Sequence, residues 1–591
     1  MIDSVFLSLF TLDLIRILCH NNIIERVDIM AFDINKKVIP IGISDFKSFY
    51  EKDYYYVDKT LMIKDILDKK PHVGLLTRPR RFGKTLNQSM IKYFFEKTEE
   101  DNSYLFKDLK IWQAGERYTS EQGKYPVINL TFKGARMNTW DETYIDLINS
   151  ISDEYRRHEY LRDVIKNSKE KKVFDDIRNR QADFSDYVLS IKNLCMYLEK
   201  YHGQKPIILI DEYDVPIQNS YIIGFYDEAI NFLRALLQAA LKDNNYLEFA
   251  IITGCLRVSK ESIFTGLNNL DIISILDKQY SEHFGFTQEE VDGILRYYDL
   301  ENKREEIKRW YDGYKFGESD IYNPWSVLKC AKDMTLGSSF PQAYWVNTSG
   351  NDIVKKLILN ASETAKNEIE VLINGGTIEK TLNANVTYNE LDDREENIWS
   401  MLFFTGYLTY TKERRKGRSS SYELRIPNEE LLYVYETIIM SWFQEKVKER
   451  DFSTLYSALI DADEETLSDE ISEFLMRNIS FYDAGESFYH GLLTGILSRV
   501  EDYCLHSNLE SGLGRSDIMI VPYNFKKPAI ILELKVAKDI DELEAKCDEA
   551  LKQIEEKSYD TYLRKNGFRS SLKYGIAFYG KRCLVKVKNI I

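Results

Sequence analysis

Short apolar runs separated by helical stretches dominate the first half of the chain. Residues 73–77, 207–210 and 249–254 are apolar, and apolar positions at helical spacing follow the first of these runs. Continuous aliphatic runs of this length are typical of strands that are buried on both faces of a parallel sheet. A further strand-like run, 125–132, precedes a long charged region with helical character. The pattern predicts an α/β domain in this half of the chain.

The segment between the first apolar run and the following helix, residues 78–85 (RPRRFGKT), has the features of a phosphate-binding loop. Backbone N–H groups and the helix dipole favour an anion at such a helix start. Lys84 can reach the β- and γ-phosphates of a nucleotide, and the Thr85 hydroxyl can ligate Mg²⁺. The usual pattern, G-x-x-x-x-G-K-[ST], has glycine where Arg78 stands, so an ordinary loop is the alternative interpretation.

Two carboxylates end the second apolar run. Asp211 and Glu212 follow four aliphatic residues, at the strand end where α/β sheets bind ligands. In a nucleotide hydrolase, Asp211 would hold the Mg²⁺ shell and Glu212 would orient or deprotonate the attacking water. Thr253, at the end of the next strand, could sense the γ-phosphate, and Arg257 could neutralise phosphate charge. The alternatives are an acidic turn after a buried strand, a capped strand end and surface charges.

A second group of charged residues lies near the C-terminus. Asp517 begins one strand-like run, 518–521, and Glu533 and Lys535 lie in the next one, 529–536. Alternation places Glu533 and Lys535 on the same face of the strand, and a hairpin brings Asp517 beside them. Two carboxylates with open positions suit Mg²⁺, and the lysine can orient or help deprotonate a water for attack on a phosphodiester. A surface ion pair on a hairpin is the alternative.

The middle of the chain, residues 331–475, carries no catalytic signature. An apolar helix at 399–408 is followed by strand-like runs at 407–412 and 422–426, with a basic stretch, 414–418, between them. A helix followed by a hairpin with a basic tip suggests a winged-helix-like module whose wing could contact DNA phosphates. A solvated hairpin on a connector domain is the alternative interpretation.

Length and composition limit the class of protein. The chain has 591 residues, enough for about three to four domains. Its net charge of −15 excludes a uniformly basic nucleic-acid coat, and its seven cysteines include no C-x-x-C pair, which fits a reducing cytosol. The apolar N-terminus is too short and too charged for a membrane span, and Met30 is a possible natural start. We therefore expect a cytoplasmic protein with an N-terminal extension, residues 1–29, and no membrane partner.

The first half resembles the bacterial AAA-ATPase-like family. The resemblance covers roughly residues 38–330, and in that family an arginine replaces the first loop glycine, as Arg78 does here. The matching motifs are 78–85 (RPRRFGKT), 211–214 (DEYD), 253–257 (TGCLR), 310–317 (WYDGYKFG) and 322–325 (YNPW). The resemblance implies a RecA-like parallel sheet with helices on both faces at 30–258, followed by a helical lid at 259–330. It also implies ATP as ligand, bound by the loop residues Arg78, Arg81, Phe82, Gly83, Lys84 and Thr85, and it is compatible with a homo-oligomer formed through this domain.

The C-terminal part, 476–591, is similar to the PD-(D/E)XK nuclease superfamily, in the branch found fused behind AAA-ATPase-like domains. The motif that carries the resemblance contains Glu510, Arg515 and Asp517, then Glu533 and Lys535. Asp517, Glu533 and Lys535 match the catalytic positions of the superfamily. Gln553 matches a helix position near the site, and Glu486 is a candidate for the first-helix acid. The residue before Asp517 is serine, where the superfamily name has proline.

Together these features predict an α/β multidomain protein. Its parts are a RecA-like P-loop NTPase core with a helical lid, a winged-helix-like connector and a small α/β nuclease-like domain. We expect it to bind and hydrolyse ATP and to cleave nucleic acid, DNA in particular, with Mg²⁺. The main alternative is a nucleotide-switched regulatory protein that binds nucleic acid without cutting it. An ATPase with a structural C-terminal domain is a third hypothesis.

Overall fold

The computed structural model describes residues 36–256, 263–264, 269–345, 352–359, 361–384, 396–417, 419–438, 450–478, 486–511, 514–524, 526–568 and 570–590. A five-stranded sheet in the order β2-β3-β4-β1-β5 forms the centre of the first part, and all its neighbouring strands are parallel. The strands are β1 (Val73–Thr77), β2 (Val127–Thr131), β3 (Ile207–Asp211), β4 (Phe249–Gly254) and β5 (Leu270–Ile273). The predicted α/β fold with a parallel sheet is confirmed.

Burial explains why these segments are strands. Every residue of β1 and β3 is buried, and β3 lies between β2 and β4, which cover both of its edges. The helices that accompany the sheet are α1 (Phe46–Glu51), α2 (Leu61–Lys69), α3 (Lys84–Phe95), α4 (Lys110–Gln113), α5 (Glu116–Thr119), α6 (Trp140–Arg157), α7 (Ser168–Arg178), α8 (Phe184–His202), α9 (Val215–Ile223) and α10 (Tyr226–Leu241). The ends of β1 and β3 thereby place the loop after β1 and the two carboxylates at one edge of the sheet.

The next segment packs helices around a small apolar core. It contains α11 (Gln288–Tyr297), α12 (Arg304–Tyr311), the antiparallel pair β6 (Tyr314–Phe316) and β7 (Ser319–Ile321), and α13 (Pro324–Thr335). A capping box between Thr287 and Glu290 starts α11, and Asn323 caps α13, whose first residue is Pro324. Ile39, from the N-terminal part of the chain, belongs to the same core. These contacts hold α13 beside the phosphate-loop region.

The middle segment contains the predicted helix and hairpin. Its elements are α14 (Asp352–Leu359), α15 (Glu363–Ile373), β8 (Ile378–Lys380), α16 (Glu396–Phe404), β9 (Thr409–Lys416), β10 (Ser419–Arg425) and the helical residues 429–438, α17. The strands form an antiparallel sheet in the order β8-β10-β9. The hairpin strands extend further toward the turn than the sequence suggests, so Arg414 and Arg415 lie within β9. Arg414 pairs there with Glu379 at 3.2 Å and Glu423 at 3.1 Å, because strand pairing brings these side chains together.

The C-terminal part has its own five-stranded sheet in the order β11-β12-β13-β14-β15, in which only β13 and β14 are parallel. Its strands are β11 (Tyr503–Ser511), β12 (Gly514–Pro522), β13 (Ala529–Val536), β14 (Ser571–Tyr579) and β15 (Arg582–Ile590), and its helices are α18 (Ser453–Asp461), α19 (Glu464–Asn478), α20 (Glu486–Leu497), α21 (Leu543–Glu556) and α22 (Thr561–Lys565). Apolar residues of α18, α19 and α20 share one core with the sheet. That core therefore begins near residue 452, ahead of the boundary expected at 476.

Candidate active sites

Two residues of the loop after β1 have left-handed backbone angles. Gly83, directly before α3, has a φ of 85°, and Arg81 has a φ of 69°. Glycine adopts such angles without a steric penalty, whereas arginine does not. The Lys84 ammonium is buried and donates hydrogen bonds to the backbone carbonyls of Arg78 and Pro79, both at 2.9 Å. The loop is thus wrapped around the amine that is expected to meet phosphate.

Arg78 supports this loop from behind. Its guanidinium is fully buried and donates to the carbonyl oxygens of Thr77 at 2.8 Å, Ile273 at 3.1 Å and Gln279 at 3.2 Å. Burial lowers the pKa of Arg78 to about 9. The Arg78 side chain does not line the cavity described below, unlike the predicted loop residues Arg81, Phe82, Gly83, Lys84 and Thr85; the predicted Mg²⁺ ligand Asp211 is also outside that lining.

Asp211, at the end of β3, joins the loop to the neighbouring strand. Its carboxylate accepts a hydrogen bond from the Thr85 hydroxyl at 2.7 Å and another from the Thr253 hydroxyl. Burial raises the pKa of Asp211, whereas these two hydroxyl groups act to lower it. Thr85, Asp211 and Thr253 are therefore brought together as the sequence suggests, and the first two are the candidate Mg²⁺ ligands.

Glu212 is held in an unusual backbone conformation next to this group. Its φ is 52°, in the left-handed region, and its amide lies 3.4 Å from the Thr253 hydroxyl. The Oε2 atom of Glu212 is buried and has no hydrogen-bond partner among the described residues. A buried carboxylate oxygen without a partner is energetically costly, so its occurrence at a strained position makes Glu212 a candidate functional residue.

A cavity of about 360 Å³ lies in front of the loop. One side of the cavity is formed by the loop residues 80–85 together with Lys133, Arg136 and Glu212. The apolar side includes Tyr55, Val57, Phe286, Pro324, Trp325 and Leu328. The Arg81 guanidinium lies 4.2 Å from the ring centroid of Trp325, on α13. Sequence reasoning did not single out Lys133 and Arg136, because their positions depend on contacts between distant segments.

In the C-terminal domain, strand pairing brings Asp517 close to Glu533. Ile518 pairs with Leu532 in the antiparallel register of β12 and β13, and Asp517 and Glu533 are the next residues of the two strands beyond this pair. The Asp517 carboxylate accepts a hydrogen bond from the Leu534 amide at 2.8 Å. The predicted hairpin geometry is therefore present, with the two carboxylates on neighbouring strands.

Glu533 is the most buried member of this group, with 1% of its surface exposed. Its Oε1 atom accepts hydrogen bonds from the Lys535 ammonium at 3.3 Å and from the Gln553 amide, while its Oε2 atom is buried without a partner in the described parts of the chain. Burial and the nearby Asp517 charge raise the pKa of Glu533 to about 7, against the opposing effect of Lys535. The two carboxylates repel one another, and one carboxylate oxygen has no hydrogen-bond partner. A divalent cation bound between them would neutralise this repulsion and give that oxygen a ligand to bind.

The remaining predicted residues surround this group to different degrees. Gln553, on α21, also reaches the Tyr559 hydroxyl at 3.3 Å. Glu486 is the first residue of α20 and is exposed, whereas His490, one turn later, has its Nε2 atom 2.9 Å from the Asp517 carbonyl oxygen. His490 was not anticipated, although its spacing from Glu486 places both residues on one helix face.

Two of the remaining predicted residues lie on paired strands of the C-terminal sheet. Glu510 pairs with Arg515 in the register of β11 and β12, close to the turn that leads into Asp517. Arg257 lies outside the described residues. Across the described ranges, no group of three or more His, Cys, Asp or Glu side chains is placed to hold a metal ion. None of the helices in the described ranges is long and apolar enough to cross a membrane.

Comparisons with known proteins find a family match for each of the two parts of the chain. Residues 40–264 match the family described as "Predicted AAA-ATPase", and residues 484–588 match the PD-(D/E)XK nuclease superfamily. The chain thus combines an AAA-ATPase-like domain with a C-terminal PD-(D/E)XK nuclease superfamily domain. A relative from Azotobacter chroococcum mcd 1, described as "Uncharacterized protein in vnfD 5'region", is 25% identical over 552 residues, which cover 90% of this chain and 95% of the relative.

Proposed function

We propose that the protein binds and hydrolyses ATP and cleaves nucleic-acid phosphodiesters, DNA in particular. The observation that carries the nuclease half is the group formed by Asp517, Glu533 and Lys535, in which a buried carboxylate oxygen is left without a partner. A structural ion pair would not require a second carboxylate on the neighbouring strand, because that charge raises the free energy of the ionised pair.

In the N-terminal domain, Lys84 would bind the β- and γ-phosphates after releasing the carbonyl groups of Arg78 and Pro79. Thr85 and Asp211 would hold Mg²⁺, which supplies charge neutralisation for the phosphates when it is bound. Glu212 would accept a proton from the attacking water through its unpartnered oxygen. Thr253, which contacts Asp211 and lies near the Glu212 amide, would sense the γ-phosphate.

In the C-terminal domain, Asp517 and Glu533 would hold Mg²⁺, which supplies an electrostatic contact for the phosphodiester oxygens. Lys535 would orient the attacking water and stabilise the charge that develops at phosphorus. The new bond joins the water oxygen to phosphorus, the bond from phosphorus to one ester oxygen breaks, and that oxygen leaves with a proton. Gln553 keeps Glu533 in place through its amide.

The nuclease proposal is tested by incubating the full-length protein with plasmid DNA, single-stranded DNA and RNA in Mg²⁺, with and without ATP. We expect Lys535→Ala to abolish cleavage. Lys527→Ala is the matched control, because Lys527 lies in the turn between the same two strands and pairs with Asp502 at 2.9 Å. Binding without products in the wild type would favour the nucleotide-switched binding protein, and the absence of both would favour a structural C-terminal domain.

We further propose that nucleotide state affects cleavage, with the segment 331–475 as a winged-helix-like connector and the segment 259–330 as a helical lid over the nucleotide. Support comes from direct packing of the phosphate loop on the connector, where a Cβ on Gly406 would lie 2.8 Å from the Pro79 Cβ. Lys84→Ala should change cleavage while leaving the fold intact. Equal cleavage by this variant and the wild type, with and without ATP, would exclude coupling.

A further inference from the structure

The segment that follows β2 presents two cations to the nucleotide cavity. Lys133 and Arg136 line the cavity together with Lys84 and Glu212. We propose that Lys133 and Arg136 bind the terminal phosphate of the nucleotide from within the same chain, so that hydrolysis needs no arginine from a second copy. The inference rests on the proposed ATP site and adds a role for two residues that no motif assigns.

Strand order explains how this segment reaches the site. Strand β2 lies next to β3, and their last residues, Thr131 and Asp211, are paired. The chain stays in register for one more step, because the Phe132 amide donates to the Asp211 carbonyl at 3.0 Å. The residues after β2 therefore leave the sheet beside Asp211, the candidate Mg²⁺ ligand, and one residue from Glu212.

The turn itself is held firmly, which fixes the direction of both cations. Phe132 and Ala135 are fully buried, whereas the intervening Lys133 and the following Arg136 are exposed. The Ala135 amide donates to the Phe132 carbonyl at 3.2 Å, and the Arg136 amide donates to the Gly134 carbonyl at 2.7 Å. Anchoring by the two buried residues leaves the cations on the side of the turn that meets the cavity.

Two neighbouring elements complete this support. The Asn219 side chain, on α9, donates to the Met137 carbonyl at 2.6 Å. On the other side, the backbone of Gly134 lies against α6, where an added Cβ would come within 3.0 Å of the Asp146 carboxylate. A flexible surface loop would have neither contact, so the geometry favours a positioned pair over incidental surface charge.

The charges around the cavity suit a polyanion. Arg80, Lys84, Lys133 and Arg136 face a single described carboxylate of the lining, Glu212. Although part of Arg136 is exposed, its partial desolvation at the cavity and the like charge of Arg80 lower its pKa, and the charges of Glu212 and Asp214 act in the opposite direction. Arg80 also donates to Gln218 at 2.6 Å, which holds it at the cavity wall. Phosphate oxygens would relieve the repulsion among these cations.

The test compares full-length wild type with Arg136→Ala, Arg136→Lys and Lys133→Ala. Arg156→Ala serves as a control, because Arg156 lies on α6 and pairs with Asp153 at 2.5 Å, away from the lining. We expect Arg136→Ala to lower the ATP turnover rate on the order of a hundredfold, as for loss of one preorganised donor to a developing charge, with partial recovery in Arg136→Lys. ADP affinity should equal that of the wild type, since ADP lacks the phosphate in question.

Two further measurements separate a cation of the same chain from one supplied by a neighbour. Turnover per molecule should stay constant on dilution, and mixing Arg136→Ala with Lys84→Ala should restore no activity. Restored activity in the mixture, or unchanged turnover in Arg136→Ala, would overturn the inference. If wild type binds ATP without hydrolysing it, the affinities for ATP and ADP are measured instead. The inference predicts a lower ratio of ATP affinity to ADP affinity in Arg136→Ala than in wild type, and an unchanged ratio refutes it. Wild type that binds no nucleotide would instead refute the proposed ATP site, and this inference with it.

Discussion

Replacing Glu533 by glutamine should stabilise the C-terminal domain while abolishing its activity. The wild-type side chain is 1% exposed, and burial and Asp517 raise its pKa to about 7 from the ordinary value of 4.5. Glutamine has nearly the same shape as glutamate but carries no charge. In the variant, the amide oxygen of Gln at position 533 can therefore still accept the hydrogen bond from Lys535. The substitution also removes the buried negative charge that the ionised Glu533 carboxylate has in the metal-free protein.

The magnitude follows from the difference between the two pKa values. A carboxyl group whose pKa is raised in the folded state binds more protons there than in the unfolded state, so stability falls as pH rises between about 4.5 and 7. Each pKa unit corresponds to about 1.4 kcal/mol, so the ionised group costs about 3 kcal/mol above pH 7 in the absence of metal. Glu533→Gln should recover that free energy at pH 8 and little of it at pH 4.5.

Hydrogen exchange measures this stability in the full-length protein, since local protection can be followed for peptides that contain β12, β13 and β14. Wild type and Glu533→Gln are compared at the same pH, without divalent ions and then with Mg²⁺. We expect slower exchange in the variant at pH 8 without metal, and protection by Mg²⁺ in the wild type alone. Glu544→Gln, in the exposed first turn of α21, is the control.

Two results would refute this reasoning. If the variant were less protected than the wild type at pH 8 without metal, the Glu533 charge would be compensated by Lys535 and not by a cation. If Mg²⁺ protected both proteins equally, the cation would bind elsewhere. Mg²⁺ affinity in the wild type should also weaken about tenfold for each pH unit below 7, because one proton must leave before the metal binds.

Three other perturbations follow from the described contacts. Arg78→Ala should lower the free energy of unfolding by about 3 kcal/mol, since it leaves a cavity and three carbonyl groups without their donor, and calorimetry measures the loss. Glu430→Gln should stabilise the protein at pH 8 but not at pH 5, because burial raises the pKa of Glu430 to about 7 and its ionised form is disfavoured at higher pH; thermal unfolding at both pH values tests this. ATP should change the tryptophan fluorescence of the wild type but not of Trp325→Phe, since Trp325 stacks on Arg81 at the cavity, and an equal change in both proteins would contradict that placement.

Buried parallel strands and the residues at their ends could be predicted from sequence for a physical reason. A strand that is covered on both faces must be continuously apolar, so β1, β3 and β4 stand out, and any carboxylate or hydroxyl at their ends is conspicuous. The same holds for Asp517 and Glu533, where hairpin pairing needs only local register. Short-range rules suffice in both cases.

Residues whose role depends on side-chain direction could not be placed this way. Arg78 belongs to the predicted loop, but its side chain turns back toward the carbonyl groups of Ile273 and Gln279, almost 200 residues later in the chain. Lys133, Arg136 and His490 carry no motif, and their roles depend on which strand lies beside which. For the hairpin of the middle segment, periodicity gave the strands but not their length, so the pairing of Arg414 with Glu379 and Glu423 was not foreseen.

The contact between the phosphate loop and the connector also joins residues that are far apart in the sequence. It limits the ways in which the proposed ATPase and nuclease activities can be linked. Pro79 packs so closely against Gly406 that a side chain at position 406 would clash with it. The Trp345 ring also contacts this position, 3.6 Å from where a Cβ on Gly406 would lie. Packed interiors transmit displacements of a few tenths of an ångström because they contain few voids. If Lys84 exchanges the carbonyl groups of Arg78 and Pro79 for a phosphate, as we propose, the loop backbone must readjust, and Pro79 cannot move toward Gly406 without moving it. Under the proposed coupling, a nucleotide signal would therefore pass from this loop to the connector through the contact of Pro79 with Gly406.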